Sequence, residues 1–242
     1  MSGARPASGL RPGQHGMKRP TKTSTSEADE EPRVDGRHLR RLRTEQRLVS
    51  AVGELLRESG VAALGVNAVA ERAGVEKVLV YRYYGGLDGL MEAYADVSDF
   101  WPTLEELVGK KGEVLRDPDK ARAGTRVLAN YAAALRKRPV TLDLLAWECA
   151  HRNALTVALE KVREERSTEL AEALTAAGVI PSEAAATIGT LFAAAINYLA
   201  VRGRELSVFG GVGVRTSKDW ARIEEAIYVA LRALARDTAH AD

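Results

Sequence analysis

The chain has 242 residues, of which 45% are apolar and 28% charged, and its 35 lysines and arginines against 33 aspartates and glutamates give a formal net charge of +2. This composition is ordinary for a globular protein, so it excludes a fibrous repeat and a wholly disordered chain. The single cysteine excludes an intrachain disulfide framework and a multi-cysteine zinc site, and it fits a reducing compartment.

The two ends of the chain differ in pattern from its middle. Residues 1–36 are rich in Ser, Thr, Pro, Gly and charge without helical or strand periodicity, so we expect a disordered tail there and a second short tail at 237–242. The first thirty residues lack the apolar core of a secretory signal, and no apolar run reaches the roughly 18 residues of a membrane span. We therefore expect a cytoplasmic protein with no membrane segment.

From about residue 40 onward, the apolar residues recur at helical spacing. The first predicted helix carries the stripe Leu48, Val49, Val52, Leu55 and Leu56 and stops at Gly60. Two short helices follow at about 66–73 and 77–83, and then a fourth at about 88–99. Beyond a polar connector at 109–120, the sequence predicts long helices near 119–137, 139–152, 154–177, 182–206 and 217–236. We find no convincing period-two alternation, so the predicted fold class is all-α.

Residues 66–81 carry the pattern of a helix-turn-helix. Ala70 is small where the second helix approaches, Gly74 accepts the positive φ of a tight turn, and Val80 is a branched apolar residue directed back into the corner. The remaining inward positions hold Val69, Ala73 and Val75. On this pattern alone, an ordinary helical hairpin within a core remains an alternative.

The flanking motifs extend this pattern into a known family. The first helix ends in Glu58-Ser59-Gly60, residues 69–75 read Val-Ala-Glu-Arg-Ala-Gly-Val, residues 81–85 read Tyr-Arg-Tyr-Tyr-Gly, and a fourth helix opens near Asp88. The segment 46–94 thereby resembles the DNA-binding domain of the TetR family of transcriptional regulators. The resemblance implies a three-helix DNA-binding domain at 37–95 and a larger helical ligand-binding and dimerisation domain at 96–236.

The second short helix is the predicted recognition helix. Its candidate DNA contacts are Lys77, Val78, Leu79, Tyr81, Arg82 and Tyr83. A helix in the major groove reads base edges with its N-terminal residues and rests longer side chains on phosphates. Lys77 is suited to guanine or phosphate, and the apolar pair either contacts thymine methyls or is simply exposed. By resemblance, Tyr81 matches the family's phosphate-contacting tyrosine.

Further candidate contacts precede this helix. Asn67 begins the first short helix, where it either pairs with adenine or makes a local capping hydrogen bond. Arg40, Arg41 and Arg43 lie just ahead of the first predicted helix. They form either an arm that enters an adjacent minor groove or a solvated helix end.

Two positions depart from the family pattern. Gly65 stands where a serine or threonine commonly caps the first short helix, and Leu87 stands where a phosphate-binding lysine commonly opens the fourth helix. The second departure removes one charge-assisted contact to DNA. We hypothesise that the basic residues near position 40 supply the missing charge.

The long helices suggest a dimer and a ligand pocket. A recognition helix covers few base pairs, so we expect a homodimer on a palindromic operator. Its predicted interface is formed by the helices near 182–206 and 217–236, through the stripes Ile188, Leu191, Phe192, Ala195, Leu199 and Trp220, Ile223, Ile227, Leu231, Leu234. Purely internal packing of these stripes is the alternative. Several polar residues also lie within otherwise apolar helix faces, namely Asn130, Tyr131, Trp147, Glu148, His151, Asn197 and Tyr198. The resemblance to the family implies that these residues are candidates for lining a ligand pocket.

The predicted function is a ligand-responsive repressor that releases its operator when a small, mostly apolar ligand binds. No catalytic, metal or cofactor motif is recognisable, so we expect neither an enzyme nor a cofactor. Two alternatives remain open: an all-α protein-interaction module, and a DNA-binding regulator controlled by a protein partner rather than by a small molecule.

Overall fold

The structure, a computed structural model, describes residues 36–97 and 99–238. Of the predicted N-terminal tail, residues 1–35 lie outside the described residues and Gly36 already belongs to a helix. Residues 239–242 of the predicted C-terminal tail also lie outside them. The boundary that we predict between the two domains at 95–96 stays a prediction.

The described residues form ten α-helices and one short hairpin, which confirms the predicted all-α class. The helices are α1 (Gly36–Ser59), α2 (Val66–Ala73), α3 (Val78–Tyr84), α4 (Leu87–Val97), α5 (Leu104–Val108), α6 (Lys120–Arg136), α7 (Pro139–Glu148), α8 (Ala154–Ala176), α9 (Glu183–Arg202) and α10 (Ser217–Thr238). The strands are β1 (Val208–Phe209) and β2 (Val212–Gly213), which pair antiparallel. Two 3₁₀ turns lie at Val61–Ala63 and Lys110–Arg116.

The first four helices pack around the predicted apolar stripe of α1. Leu48, Val52, Leu55 and Leu56 are all buried there, with Leu48 and Val52 completely enclosed. Helix α1 contacts both α2 and α4, and α3 packs on α4. The apolar period of α1 therefore organises the unit that holds the helix-turn-helix.

Helix α6 is the centre of the larger helical part. Both α9 and α10 pack against α6, whereas α7 packs against α9 and α8 reaches back to α4. The side chain of Asp119 caps α6 by accepting from the amide of Arg122, and it also accepts a hydrogen bond from the Tyr228 hydroxyl at 2.8 Å. The start of α6 is therefore bonded directly to α10.

The segment that leaves α4 is held by the corner between α6 and α7. Buried Arg138 donates Nε to the Asp99 carbonyl at 3.0 Å and Nη2 to a carboxylate oxygen of Asp99 at 2.5 Å and of Glu106 at 2.8 Å. The Thr141 hydroxyl donates to the Phe100 carbonyl at 2.6 Å. These bonds join the exit of α4 and the first turn of α5 to the larger helical part.

Several element boundaries differ from prediction. Helix α1 begins at Gly36 rather than near residue 40, and α4, α7 and α9 end earlier than predicted, at Val97, Glu148 and Arg202. The short helix α5 was not predicted, and part of the expected polar connector is a 3₁₀ turn. The expectation of no strands is wrong at 208–213. A hairpin forms there because consecutive glycines adopt φ of 55° and 83°, the positive values that a tight two-residue turn requires.

Helix α9 also corrects the expectation about apolar runs. It has 20 residues, its most apolar 18-residue window has a mean hydropathy of 1.6, and only 11% of that window is buried. By length and composition it is therefore sufficient to cross a membrane. One such helix is weak evidence for a membrane span, because helices that pack against other protein surfaces pass the same test.

Candidate nucleic-acid interface and regulatory cavity

The turn between α2 and α3 has the geometry that its sequence predicts. Gly74 adopts the left-handed conformation, with φ 62° and ψ 43°, where a side chain would be strained. Its amide donates to the carbonyls of Ala70 and Glu71, and Val80 is completely buried beneath the corner. These contacts fix the direction in which α3 leaves the turn.

One side of α3 is free of contacts with the core. The outward face of α3, as we define it, comprises Lys77, Val78, Tyr81 and Arg82, which are all exposed. Val78 and Tyr81 expose 54% and 55% of their surface. Leu79 is half-buried, so it offers less surface than the sequence analysis expected. The outward face therefore combines two cations, one phenol and one branched apolar side chain.

Tyr83 lies on a different side of α3. Its half-buried ring packs against the core, and the Arg41 guanidinium sits 5.3 Å from its centroid. The next residue, Tyr84, donates its hydroxyl to the Glu45 carbonyl at 3.2 Å, and burial raises the pKa of this phenol. The structure thus places Tyr83 in the contact between α1 and α3 and apart from the outward face.

Arg40, Arg41 and Arg43 are part of helix α1. The expectation that they lie ahead of the helix is wrong, because the helix continues back to Gly36. A helix with its side chains is about 10–12 Å across, whereas a minor groove is about 6 Å wide. This segment therefore does not fit the minor groove as an arm, although its arginines remain exposed to solvent.

The structure shows the surroundings of Asn67 and of Gly65 and Leu87, the two positions that depart from the family pattern. Asn67 is exposed on the first turn of α2 and makes no hydrogen bond within the described ranges, so the local cap that we considered does not form. Gly65 caps this helix without a side-chain bond. Leu87 is half-buried and packs against the core at the start of α4, where the family commonly has a lysine.

Two arginines that the sequence analysis did not single out hold the unit together. Arg72 of α2 bonds Glu58 of α1 at 2.6 Å and Glu54 at 3.4 Å. A hydrogen bond from Arg72 outweighs partial desolvation and lowers the pKa of Glu58. Arg47 donates to the Gly74 carbonyl at 3.0 Å, directly at the turn. Sequence period alone does not reveal these bonds, because their partners lie 14 to 27 residues apart.

A large cavity opens between α6, α8, α9 and α10, with a volume of about 560 Å³. Its inner part is lined by Trp101, Leu107, Val127 and Tyr131, and most of the remaining wall is Ala, Gly, Leu, Val and Ile. Of the charged lining residues, Glu164 and Arg166 are exposed, and half-buried Lys120 donates its Nζ to the Leu115 carbonyl at 3.3 Å. Such an apolar cavity with few polar groups is the usual form of a small-molecule site.

Of the predicted pocket residues, Tyr131 alone appears among the lining residues of this cavity within the described part of the chain. Its hydroxyl donates to Asn197 Oδ1 at 2.6 Å, and burial raises the pKa of the phenol strongly. Asn197 therefore supports the wall from behind. Asn130 donates to the Leu107 carbonyl at 2.8 Å and so fixes another lining residue indirectly.

The other predicted pocket residues lie away from the cavity wall. Trp147 stacks on His151 at 4.7 Å with an angle of 10° between the rings, and Glu148 pairs with Arg163 at 2.5 Å. The helical spacing of apolar residues predicted that these residues lie on helices. It did not predict which helix faces pack against one another. Tyr198 is half exposed and contacts Phe209 of the hairpin edge-on at 5.2 Å.

The two predicted dimer stripes have different surroundings. The stripe of α10 packs on α6 with Trp220 and Ile227 buried, as the alternative of internal packing expects. The stripe of α9 is more open: Leu191 exposes 64% of its surface and Ala195 is also exposed. From Ala184 to Val201, α9 has no charged residue. This helix therefore presents an uncharged apolar surface without a partner in the described monomer.

The described residues contain no cluster of three or more His, Cys, Asp or Glu side chains that is able to hold a metal ion.

Comparison with known proteins identifies a family whose sequence model matches the helix-turn-helix segment. The sequence model of the family described as "Bacterial regulatory proteins, tetR family" matches residues 48–94, which span α1 from Leu48 to the middle of α4. The match coincides with the corner and with the outward face of α3. The helix-turn-helix segment of this chain therefore matches the TetR family, and the whole chain is similar to TetR-family regulators. TetR-family regulators are DNA-binding transcription factors rather than enzymes, as the sequence analysis expected.

Individual relatives agree with this assignment. The chain is 28% identical over 138 residues to the HTH-type transcriptional regulator BetI of Burkholderia ambifaria, over 56% of this chain and 67% of that protein. It is 27% identical over 137 residues to the HTH-type transcriptional regulator BetI 2 of Chromohalobacter salexigens, over 56% and 63%.

Solved TetR-family structures share the fold of the whole regulator. A TetR family transcription regulator from Marinobacter aquaeolei VT8 has a TM-score of 0.52 at 17% identity, covering 79% of this chain and 97% of that chain. A TetR-like regulator from Rhodococcus sp. RHA1 has a TM-score of 0.51 at 20% identity, covering 79% and 96%. At these identities, the likeness shows the fold alone.

Proposed function

We propose that this TetR-family regulator is a ligand-responsive repressor that acts in the cytoplasm and binds a palindromic operator as a homodimer. The observation that carries the proposal is the outward face of α3. It is exposed on a rigidly held corner and combines Lys77 and Arg82 with Tyr81 and Val78. A helix in the major groove needs such a face, which contacts both bases and phosphates.

The side chains of the outward face are assigned separate contacts. Lys77 precedes the first turn of α3, so it contacts a guanine edge or a phosphate, and Val78 contacts a thymine methyl. Tyr81 and Arg82 lie one turn later and contact phosphate oxygens. Asn67 on α2 is exposed and adds a contact to DNA, whereas Leu79 and Tyr83 contribute mainly to the position of α3.

The proposed dimer forms through α9. Its uncharged surface around Leu191 and Ala195 is too apolar to remain exposed to water on a protein without a partner. A two-fold pair of α9 helices buries this surface and places two recognition helices for the two halves of a palindrome. In this proposal α10 packs on α6 and contributes only its outward residues to the dimer interface, such as Val229, which is 60% exposed.

The proposed ligand is a small, mostly apolar molecule in the 560 Å³ cavity. Trp101 and Leu107 of the cavity wall belong to the segment that Arg138 joins to the exit of α4. A ligand that displaces this segment changes the direction of α4 and with it the distance between the two recognition helices. Coupling of this kind requires the ligand to bind the DNA-incompetent state more tightly, typically by about 1–3 kcal/mol.

The experiment that tests the DNA-binding site uses single variants of the outward face. Lys77→Ala and Tyr81→Ala are each expected to weaken binding to a duplex selected by the protein from a random pool by about tenfold or more, since one good contact is worth about 1–3 kcal/mol. Lys218→Ala on α10 is the matched control and leaves the affinity unchanged. Fluorescence anisotropy measures all three. Parental affinity in both variants of the outward face would contradict the assignment.

A further inference from the structure

Helix α1 begins well before the first residue that it contributes to the apolar core. Its first buried residue is Leu48, so residues 36–47 precede the buried stripe by about three helical turns, and their last turns contact α3 and the turn before it. The family match also begins at residue 48, which leaves these residues outside the segment common to the family. We call residues 36–47 the α1 extension.

The α1 extension is strongly basic. It contains five arginines against one glutamate, a formal charge of +4 in a chain whose total is +2. The one acid, Glu45, is paired with Arg41 at 2.7 Å. Glu45 is therefore not the partner of Arg40 or Arg43, which are both exposed.

The bonds at the base of the extension fix the direction of its basic side. Arg40, Arg43 and Arg47 are spaced by three and four residues, so they share one side of the helix. Arg47 reaches the carbonyl of Gly74 at the turn that precedes α3. The paired Arg41 lies on another side, over the ring of Tyr83. The shared basic side therefore continues from the helix-turn-helix corner along the extension.

We propose that the α1 extension binds the DNA phosphate backbone beside the base pairs that α3 reads, through Arg40 and Arg43. This inference rests on the proposed operator binding. From Arg40 to Arg43 the helix rises about 4.5 Å, so the two long side chains are able to reach neighbouring phosphates of one strand. The contact is electrostatic and independent of sequence, because a helix of this width does not enter the minor groove to read bases.

The extension compensates for a missing contact at α4. Leu87 packs against the core where the family commonly has a phosphate-binding lysine, so α4 contributes no cation at its first residue. Arg40 and Arg43 of the extension supply positive charge on the neighbouring helix. They do so without a flexible arm, because their backbone is helical from Gly36 onward. The ordering entropy of binding is therefore small.

The test compares three double variants by the salt dependence of DNA binding. Arg40→Ala/Arg43→Ala removes the two charges but keeps a good helix-forming sequence. Arg40→Lys/Arg43→Lys retains the charges, and Lys218→Ala/Arg222→Ala removes two charges from α10, which packs on α6 and β2. The probes are the duplex selected from a random pool and a scrambled duplex of equal length.

The expected result is a smaller salt slope for the Arg40→Ala/Arg43→Ala variant alone. The slope of log K against log salt concentration falls in magnitude by about 0.9 for each phosphate contact removed, so by about 1.8 per protomer. Affinity for both probes falls by the same factor, and the lysine variant retains most of the slope. Far-ultraviolet circular dichroism checks that α1 stays helical in every variant.

Two results would overturn the inference while leaving the proposed function intact. The first is a slope for Arg40→Ala/Arg43→Ala equal to that of the α10 variant, with Lys77→Ala still weakening binding. The second is an unchanged slope together with lost binding to vesicles of anionic phospholipid, which would assign the extension to a membrane surface. If the protein selects no sequence from the pool, the proposed function itself fails, and this inference fails with it.

Discussion

At the residue scale, Arg138 joins the DNA-binding part of the chain to the rest. It is 8% exposed and bonds the carbonyl of Asp99, two carboxylates and the carbonyl of Ala134. Burial alone would raise the pKa of Glu106, but the Thr103 amide and the Arg138 guanidinium outweigh it and hold this pKa below its usual value. The ion pair therefore requires the ionised form of Glu106.

Replacement of this arginine is expected to destabilise the fold. Arg138→Leu should lower the free energy of unfolding by about 2 kcal/mol, because charged hydrogen bonds in a largely buried site are lost while the partners stay partly solvated. The exposed pair Arg204–Asp143 provides the control, and Arg204→Leu should cost about 0.5 kcal/mol or less. Urea denaturation measures both, and equal effects would contradict the structural role of Arg138.

The same contact predicts a pH dependence. A carboxyl whose pKa is lowered by folding stabilises the protein above its unfolded pKa and loses this contribution as the pH falls through its folded pKa. The difference in urea midpoint between the parent and Arg138→Leu should therefore shrink below about pH 4.3, the ordinary value for glutamate. A difference that stays constant down to pH 3 would show that Glu106 is not responsible.

The sequence reveals the role of a residue when the contacts of that residue are close to it in the chain. The positive φ of Gly74 and the burial of Val80 follow from a turn and two adjacent helices, so the pattern of 66–81 predicts both. The bonds of Arg138 to Asp99 and Glu106 span 32 to 39 residues. The periodicity of a single helix does not contain that information, and the same holds for Tyr83, whose ring lies against Arg41 of α1.

At the element scale, helix α9 provides a test of assembly. Leu191→Asp places a charge in the centre of its uncharged surface and should convert a dimer into monomers, because the carboxylate would lose its hydration in the interface. Val97→Asp, at an equally exposed valine of α4, is the control and should leave the dimer intact. Sedimentation velocity distinguishes the two states. A dimeric Leu191→Asp protein would place the interface elsewhere.

Two elements that were not predicted carry recognisable local signals. Thr103 and Glu106 form a reciprocal capping box, and this Thr-x-x-Glu spacing marks the start of α5. The glycine pair at 210–211 between short apolar runs is a hairpin signal. The orientation of α10 has no such signal. Its apolar stripe is equally suited to a partner subunit or to α6, and only the packed structure shows that it faces α6.

At the scale of the whole molecule, the fold connects a cavity to the helix-turn-helix corner through the exit of α4, which Arg138 bonds to the larger helical part, and through the packing of α8 on α4. The sequence analysis predicted the helical class and the order of the long helices, because helical apolar spacing is a local signal, which is strong in α6 and α10. It did not predict the cavity wall, which combines side chains from four helices far apart in sequence. The polar candidates near α7 pair with one another or with α8 instead, as Trp147 does with His151.

The central claim is that α3 is the recognition helix of a symmetric dimer, and its most direct test is selection from a random DNA pool. The purified protein should enrich an inverted repeat whose half-sites lie about one helical turn apart, or a multiple of it, centre to centre. The Lys77→Ala protein should lose this enrichment while Lys218→Ala retains it. A pool without enrichment, or the same inverted repeat enriched equally by Lys77→Ala, would contradict the account.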